Sequence, residues 1–415
     1  MKAVTMRKKI WSGAAVALVA SMASSVQAEE ASSLAAALKG GEVKIQFRYR
    51  YEDVDQDNAL ETAKASTLKS RLNYTSGVFS GLQAQVEVDN VSQIGDDDYN
   101  STSNNETGYS VVADPDGTEF NQAWVSWSGM DTVVKGGRQR ILLDNERFVG
   151  GVGWRQNEQT FDSGSVVNKS LKDTVLTYAW IDNVNRVFGP DDGTSPAWLG
   201  DWNSSINLLN ASYNGLSFGT ITAYDYLMDI KDADAQSNKT WGVRFNGKHA
   251  LGETVSLLYT LEFARQEDYG DNPVSYDADY YAVEAGLALP AAVTLLVGQE
   301  VLEGDAGTPG KAFRTPLATL HKFQGFADMF LNTPDGGIQD SYISASIVLM
   351  GATASAVWHD FEAEDGGASF GDELDLSLSR KFGQYVTGLL KYADYSEDGF
   401  AVDTRKFWVQ LQVDI

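Results

Sequence analysis

The chain ends in a strictly alternating stretch that runs from Lys406 to Ile415. Its apolar positions are Phe407, Val409, Leu411, Val413 and Ile415, and the positions between them are Trp408, Gln410, Gln412 and Asp414. Side chains of a strand alternate between two faces, so one face of this stretch is wholly apolar. Chain ends usually fray unless a neighbour pairs with them. A barrel in lipid cannot leave its last strand unpaired. The ending therefore favours a membrane β-barrel over its alternative, the final strand of a soluble β domain.

The first 28 residues have the composition of a secretory signal. Four basic residues precede an apolar run from Ile10 to Ala20, and a small-residue stretch ends at Val26-Gln27-Ala28. This order of a basic, an apolar and a small-residue region is typical of a cleaved export signal. The apolar run is too short for a membrane-spanning helix. We expect residues 1–28 to be removed and residues 29–415 to form one exported domain.

Composition narrows the class further. The chain has a formal net charge of −25, no cysteine, 39 glycines and only 8 prolines. Strong acidity disfavours nucleic acid as a partner, and the lack of cysteine excludes disulfides and thiolate metal sites. The acidic runs lack the spacing of a calcium-binding loop, so we predict solvated loops, no metal and no cofactor.

Alternation between apolar and polar residues recurs along the chain in segments of about ten residues, which is the length of a tilted membrane strand. A short helix or a plug-like lead-in is expected at 31–38. Seventeen segments are clear and one, at 158–167, is weaker. Because single bacterial chains form barrels with even strand numbers, we predict an antiparallel transmembrane barrel of 18 strands, with 16 as the alternative. The segments are 43–52, 68–74, 82–89, 119–128, 131–140, 158–167, 171–182, 204–213, 216–226, 239–248, 254–265, 278–289, 292–301, 340–349, 352–361, 372–381, 386–395 and 404–415.

The connections between these segments alternate in length. Short turns lie at 77–81, 129–132, 214–215, 290 and 350–351, whereas long polar stretches lie at 92–118, 141–159, 183–203, 229–239, 266–277 and 302–339. Bacterial barrels have short periplasmic turns and long extracellular loops. A barrel of this size has a lumen too wide for its own side chains to fill, so a channel is expected.

Basic residues recur on the polar face of several predicted strands. Arginine matches the geometry of carboxylates and phosphates, so these residues predict a track for anionic solutes. The alternative is that they pair with Glu52, Glu87 and Glu119 across the barrel wall. The predicted pore-lining set, including two basic residues from the long stretch at 141–159, is Arg48, Arg50, Lys69, Arg71, Arg138, Arg140, Arg147, Arg155 and Arg244.

The stretch from Phe313 to Phe330 is a predicted loop that is unusually rich in apolar and aromatic residues. Such a loop should avoid water, and long structured loops are usually functional. We predict that it folds into the barrel mouth as a constriction, with Arg314, His321 and Lys322 as solute contacts. Simple packing that closes the barrel end is the alternative.

Catalytic signals are weak. The chain has three histidines, His249, His321 and His359. His359 and Asp360 are neighbours in a predicted strand, where they point to opposite faces. No nucleophile motif lies near them. An outer-membrane hydrolase would need a Ser/His/acid cluster on the outer wall.

Several motifs together resemble one known group, the alginate-export-type outer-membrane porins of Gram-negative bacteria. They are Phe47–Glu52, Ser66–Leu72, Gly137–Arg140, Asp144–Gly150, Gly153–Gln156 and Thr315–Phe323. The resemblance implies an 18-stranded barrel with an arginine-rich pore that passes anionic polysaccharide. Two features depart from the group, because the last residue is Ile415 rather than an aromatic and the chain is strongly acidic.

The sequence thus predicts a passive porin of the outer membrane, without enzymatic activity, that contacts outer-membrane lipid and an anionic solute or polysaccharide. A general or cation-preferring porin is the alternative, with a hydrolase as the rival from another class. Homo-oligomers are left open.

Overall fold

The computed structural model describes residues 30–95 and 97–415. The predicted signal sequence lies outside these residues. The described part begins with a short helix, α1 (Leu34–Lys39), where a helix was expected. Its N-terminus is capped by Ser33, whose hydroxyl accepts a hydrogen bond from the backbone N–H of Ala36. No helix in the described residues is long and apolar enough to cross a membrane.

Eighteen antiparallel strands follow, and each pairs with its neighbours in sequence. β1 also pairs with β18, from Gln46 opposite Asp414 to Gln56 opposite Thr404, which closes the sheet. The predicted number of 18 strands is confirmed, and the weaker segment at 158–167 is β6. The strands are β1 (Glu42–Gln56), β2 (Ala63–Thr75), β3 (Leu82–Gln93), β4 (Gly117–Gly129), β5 (Thr132–Gln139), β6 (Thr160–Asn168), β7 (Thr174–Asn185), β8 (Asp201–Leu216), β9 (Gly219–Ile230), β10 (Asn238–Ala250), β11 (Ser256–Asp268), β12 (Asp277–Leu289), β13 (Val293–Leu302), β14 (Ile338–Leu349), β15 (Ala352–Glu362), β16 (Ser369–Phe382), β17 (Val386–Glu397) and β18 (Thr404–Asp414).

The alternation of the sequence becomes the two faces of the wall. In β1, Phe47 lies on the outer face and is 41 % exposed, whereas Arg50 points into the barrel and is 1 % exposed. In β18, Phe407 and Leu411 are exposed outside while Trp408 is fully buried inside. An apolar outer face and a polar inner face are the pattern of a barrel that lies in lipid.

The two ends of the barrel differ as predicted. One end, here called the short-turn end, holds tight turns such as Phe79 to Leu82, in which Gly81 has a φ of +80°. The other, the long-loop end, holds the longer connections, and its three longest segments are here called loop A (94–116), loop B (140–159) and loop C (303–337).

Loops B and C fold into the barrel and fill much of its long-loop half. Phe148 of loop B packs against the wall residues Tyr224 and Tyr280 and against Phe313 of loop C, with ring centroids 5.2 to 5.9 Å apart. Leu317 and Phe330 of loop C are also buried. Apolar loop residues therefore form the core that the polar inner wall cannot supply.

We expect the substitution Leu261→Arg to lower the free energy of unfolding by about 2–4 kcal/mol, because it places a charge on the lipid-facing side in mid-strand. Leu261 is 50 % exposed on the outer face of β11. The matched control is Asn246→Arg, which faces the lumen from the adjacent strand β10. Urea unfolding in lipid vesicles measures both, and equal losses would contradict the assignment of faces.

Candidate functional site in the barrel lumen

The structure brings most of the predicted cations into the barrel interior. Arg48 and Arg50 of β1, Lys69 and Arg71 of β2, and Arg244 of β10 point inward from the wall. In loop B, Arg140 lines the inner cavity, whereas Arg147 and Arg155 are buried. Whether these residues are free to contact a solute depends on the partners that they have inside the barrel.

Arg138 departs from the prediction, because its side chain lies on the outer face of β5. Inward positions in this strand are odd-numbered, since Val133 and Lys135 both line the inner cavity. Arg138 instead pairs across the strand with Asp162, with Nε 2.7 Å from Oδ1. The sequence did not indicate the outward position of Arg138, because Gly136 and Gly137 carry no side chain from which the alternation can be read. Arg140 does turn inward, because it lies beyond the end of β5.

The first interior cluster is centred on Glu158 of loop B. Its carboxylate is 2.8 Å from Arg71 Nη2, 2.5 Å from Arg140 Nε and 3.5 Å from Lys69 Nζ. Burial alone would raise the pKa of Glu158, but the charges of Arg140, Arg71 and Lys69 outweigh it and hold this pKa well below its ordinary value. A carboxylate supplied by inserted loop B thus neutralises two cations of β2 and one of its own loop.

Further pairs follow the alternative that the sequence left open. Arg140 Nη2 lies 2.5 Å from Glu87, and Arg155 Nη1 lies 3.1 Å from Glu52. Glu119, the third partner considered, makes no ion pair within the described residues. The arginine set is therefore largely compensated by carboxylates.

Arg155 connects three separate elements. Besides Glu52 of β1, its guanidinium contacts Asp328 of loop C at 3.3 Å and lies 4.0 Å from Asp114 of loop A. The side chains of all four residues are at most 11 % exposed. Since a buried charge needs several partners to offset its lost hydration, this arginine fixes the mutual positions of the wall and three loops.

Arg48 and Arg50 hold the backbone of loop B. Arg48 Nη1 donates to the carbonyl of Gly153 at 2.8 Å, and its Nη2 donates to the carbonyl of Arg155. Arg50 Nη2 donates to the carbonyl of Trp154 at 2.6 Å, and its guanidinium lies 3.9 Å from the Trp154 ring centroid. These two arginines thus bind loop B and do not face open lumen.

Arg147 and Arg244 are also paired inside the barrel. Arg147 Nε lies 2.7 Å from Glu300 of β13, and its Nη1 donates to Thr315 of loop C at 3.2 Å. Arg244 forms an ion pair with Glu262 of β11, which also accepts a hydrogen bond from Tyr224 at 2.9 Å.

His321 of loop C is buried and cannot act as an exposed cation. Its ring is stacked on Trp154 with centroids 4.5 Å apart. Its Nδ1 donates to Asp328 at 2.8 Å, and its Nε2 accepts from Lys391 Nζ at 2.5 Å. This arrangement requires a neutral ring, and burial lowers the pKa of His321 to about 3. The predicted solute contact is instead a packing and hydrogen-bonding residue.

The other two predicted residues of loop C lie in different settings. Lys322 is exposed, and its Nζ donates to the carbonyl of Asn145 in loop B at 2.8 Å. Arg314 is held through its backbone, whose N–H donates to Gln266 of β11 at 2.7 Å. Of the three, Lys322 is the most accessible cation.

Two carboxylates that the sequence analysis missed fasten the inner part of loop C. The Glu373 carboxylate accepts from the backbone N–H of Ala327 at 2.7 Å, and Asp375 accepts from that of Phe326 at 2.9 Å. The available signal was their spacing, since both lie on the inward face of β16 between outward leucines. Carboxylates on the inner wall of a barrel thus bind backbone donors of an inserted loop.

An inner cavity of about 850 Å³ remains at the short-turn end, below the cluster around Glu158. Four cations line it, which are Lys44, Arg71, Lys135 and Arg140. Carboxylates (Glu42, Glu87 and Asp414) and neutral amide side chains such as Gln122 and Gln139 also line it. Lys135 was missed because it stands alone among apolar and glycine residues in β5.

The geometry gives no support to hydrolase chemistry. Nδ1 of His359 hydrogen-bonds to Asp340 of β14 at 2.9 Å, and its ring lies on the inner wall, not on the outer wall that the hydrolase hypothesis requires. Within residues 30–95 and 97–415, no serine or threonine hydroxyl hydrogen-bonds to a histidine ring. The same residues contain no acidic and histidine cluster that could hold a metal.

Comparison with known proteins identifies solved structures of similar fold. No protein-family model matches the chain, and no curated protein does. Acinetobacter baumannii OccAB4 is 13 % identical with a TM-score of 0.73, and the match covers 90 % of this chain and 98 % of that one. OccAB2 from the same organism is 16 % identical with a TM-score of 0.70, over 91 % and 99 %. Pseudomonas aeruginosa OpdK, solved with vanillate, is 13 % identical with a TM-score of 0.68, over 91 % and 99 %. These similarities show the fold of 18-stranded outer-membrane porins; the alginate-export resemblance finds no support among them.

We expect Arg155→Met to loosen loops B and C, because it leaves Glu52 and Asp328 without their shared partner. Removing one member of a buried ion pair costs about 3–5 kcal/mol. Hydrogen exchange at the backbone N–H groups of Phe326 and Ala327 would report this as faster exchange. The control is Arg265→Met, which breaks a pair with Asp277 and Asp279 on the outer rim. Unchanged exchange in the Arg155 variant would contradict the connecting role.

Docking of loop C should weaken as pH falls from 6.5 toward about 3, the interval between the ordinary and the docked pKa of His321. In this interval the released loop binds a proton that the docked loop excludes, so docking loses up to about 1.4 kcal/mol per pH unit. Protease resistance of loop C measures this loss. The variant His321→Gln should lack this share of the pH dependence, and identical profiles would contradict it.

Proposed function

We propose that the protein is a passive diffusion channel of the outer membrane that admits small solutes carrying a carboxylate. The observation that carries the proposal is the inner cavity, which four wall and loop cations line inside a closed barrel. Diffusion past a charged constriction needs no cofactor and no energy source.

The dimensions of the interior favour small solutes over a polymer. Loops B and C occupy much of the long-loop half, and the cavity of about 850 Å³ lies within the range of sites for small molecules. An alginate-like polysaccharide is the polymeric member of the same chemical class. Its passage requires the two loops to move out of the lumen, because they are fastened there by buried ion pairs.

The chemistry of the interior is compatible with a carboxylate. Arginine and lysine donate charge-assisted hydrogen bonds to carboxylates. Among the structural neighbours, OpdK was solved with vanillate, which is an aromatic carboxylate. We extend this solute class to the present chain on the basis of its own cavity cations.

A cation-preferring porin is the second candidate, and the extensive pairing of the interior arginines favours it. If the carboxylates of the wall and loops fully offset those arginines, the net charge of −25 would set the field at both pore mouths.

Ion selectivity in planar bilayers distinguishes these functions. We expect the purified protein to prefer anions under a salt gradient and to be blocked by millimolar benzoate, because the cavity cations attract and hold carboxylates. Benzamide, which has a similar shape and no charge, is the control. An oligouronate added in parallel tests the polymeric solute.

Cation preference without block would replace the proposal with the cation-preferring porin. Block by oligouronate but not by benzoate would favour the alginate-type solute. A protein that inserts but conducts no ions would contradict the channel.

A further inference from the structure

Most cations of the barrel interior are already engaged by the protein. Carboxylates bind Lys69, Arg71 and Arg140. Carbonyl oxygens bind Arg48 and Lys322. A solute that enters the lumen must compete with these partners for each cation.

Lys135 is different. It makes no hydrogen bond and no ion pair with any residue in the described parts of the chain; the neighbouring pairs are those of Arg138 and Arg140. Its ammonium lies 4.3 Å from the ring centroid of Trp124, on the adjacent strand β4. An aromatic face satisfies part of an ammonium's charge and leaves its N–H donors free for another partner. Lys135 also lines the inner cavity.

The surroundings of Lys135 are suited to a ring-bearing solute. Neutral amides and hydroxyls line the cavity together with apolar side chains such as Val133 and Val167. Lys44, Arg71 and Arg140 line the same cavity, but each is already paired with a carboxylate. The cavity thus combines apolar side chains, neutral hydrogen-bonding groups and one cation, Lys135, that has no carboxylate partner among the residues that the structure describes. Of its carboxylates, Glu42 and Glu87 pair with Lys44 and Arg140, and Asp414 accepts a hydrogen bond from Gln46.

We propose that Lys135, supported by Trp124, is the anchor of a carboxylate-binding subsite in the inner cavity. The ligand class is a small ring compound with one carboxylate, bound through the Lys135 ammonium and packed against the apolar wall. This inference rests on the proposed function and specifies which cation recognises the solute. It also places recognition at the short-turn end, below the cluster around Glu158.

The test compares benzoate binding to the intact protein and to the variant Lys135→Gln. We expect the concentration for half-maximal binding to rise about tenfold in the variant, because a charge-assisted hydrogen bond is lost. Isothermal titration of the detergent-solubilised protein measures binding without requiring conductance. Lys135→Arg should restore most of the affinity.

Two controls separate the subsite from general charge effects. Lys44→Gln removes a cation that lines the same cavity but pairs with Glu42 at 3.0 Å, and it should leave benzoate affinity within about twofold. Benzamide should bind equally to the intact protein and to Lys135→Gln, because it presents no charge to the ammonium.

The outcomes for this inference and for the proposed function are distinguishable. Equal benzoate affinity in the intact protein and in Lys135→Gln, or no binding to either, would overturn the subsite, whereas anion preference in bilayers would still support the channel. An equal loss of affinity in Lys44→Gln would also overturn it, since any cavity cation would then serve. Loss of affinity confined to Lys135→Gln in a protein that does not conduct would support the subsite and contradict the channel.

Discussion

Closure of the sheet is the constraint on which the rest of the structure depends. Backbone groups in lipid have no water to bind, so every strand must pair on both edges, and β18 meets β1 for this reason. Eighteen strands enclose a space that their own side chains cannot fill. The wall therefore determines the outer surface and the size of the interior, but leaves open what occupies that interior.

Inserted loops occupy the barrel interior, and they carry both apolar and charged groups. Phe148 and Phe313 pack against tyrosines of the wall, while Glu158 and Asp328 bring carboxylates to the wall cations. A buried cation is costly unless it is paired. Each inward arginine or lysine of the wall thus creates a need for a partner, and the loops meet most of those needs.

Sequence periodicity predicted the wall well because it depends on local alternation, which the lipid-facing side imposes residue by residue. All 18 strands lie where the alternation placed them. It failed for Arg138, because two glycines before it carry no side chain that indicates the face. The interior contacts were not predictable in the same way. Arg155 meets Glu52 and Asp328, which are 103 and 173 positions distant in sequence, and alternation contains no information about such pairs.

The wall residues were predictable from the sequence and the interior contacts were not, and this difference determines which residues are informative about solutes. An arginine-rich motif predicts cations, but cations that are buried in the interior are those that the fold itself must neutralise, as Arg50 and Arg155 illustrate. A cation free to bind a solute has to be stabilised without a carboxylate. Lys135 meets this condition, because the face of Trp124 reduces the cost of its charge without removing its hydrogen-bond donors. In a barrel whose interior charges are mostly compensated, selectivity depends on the few charges that are not.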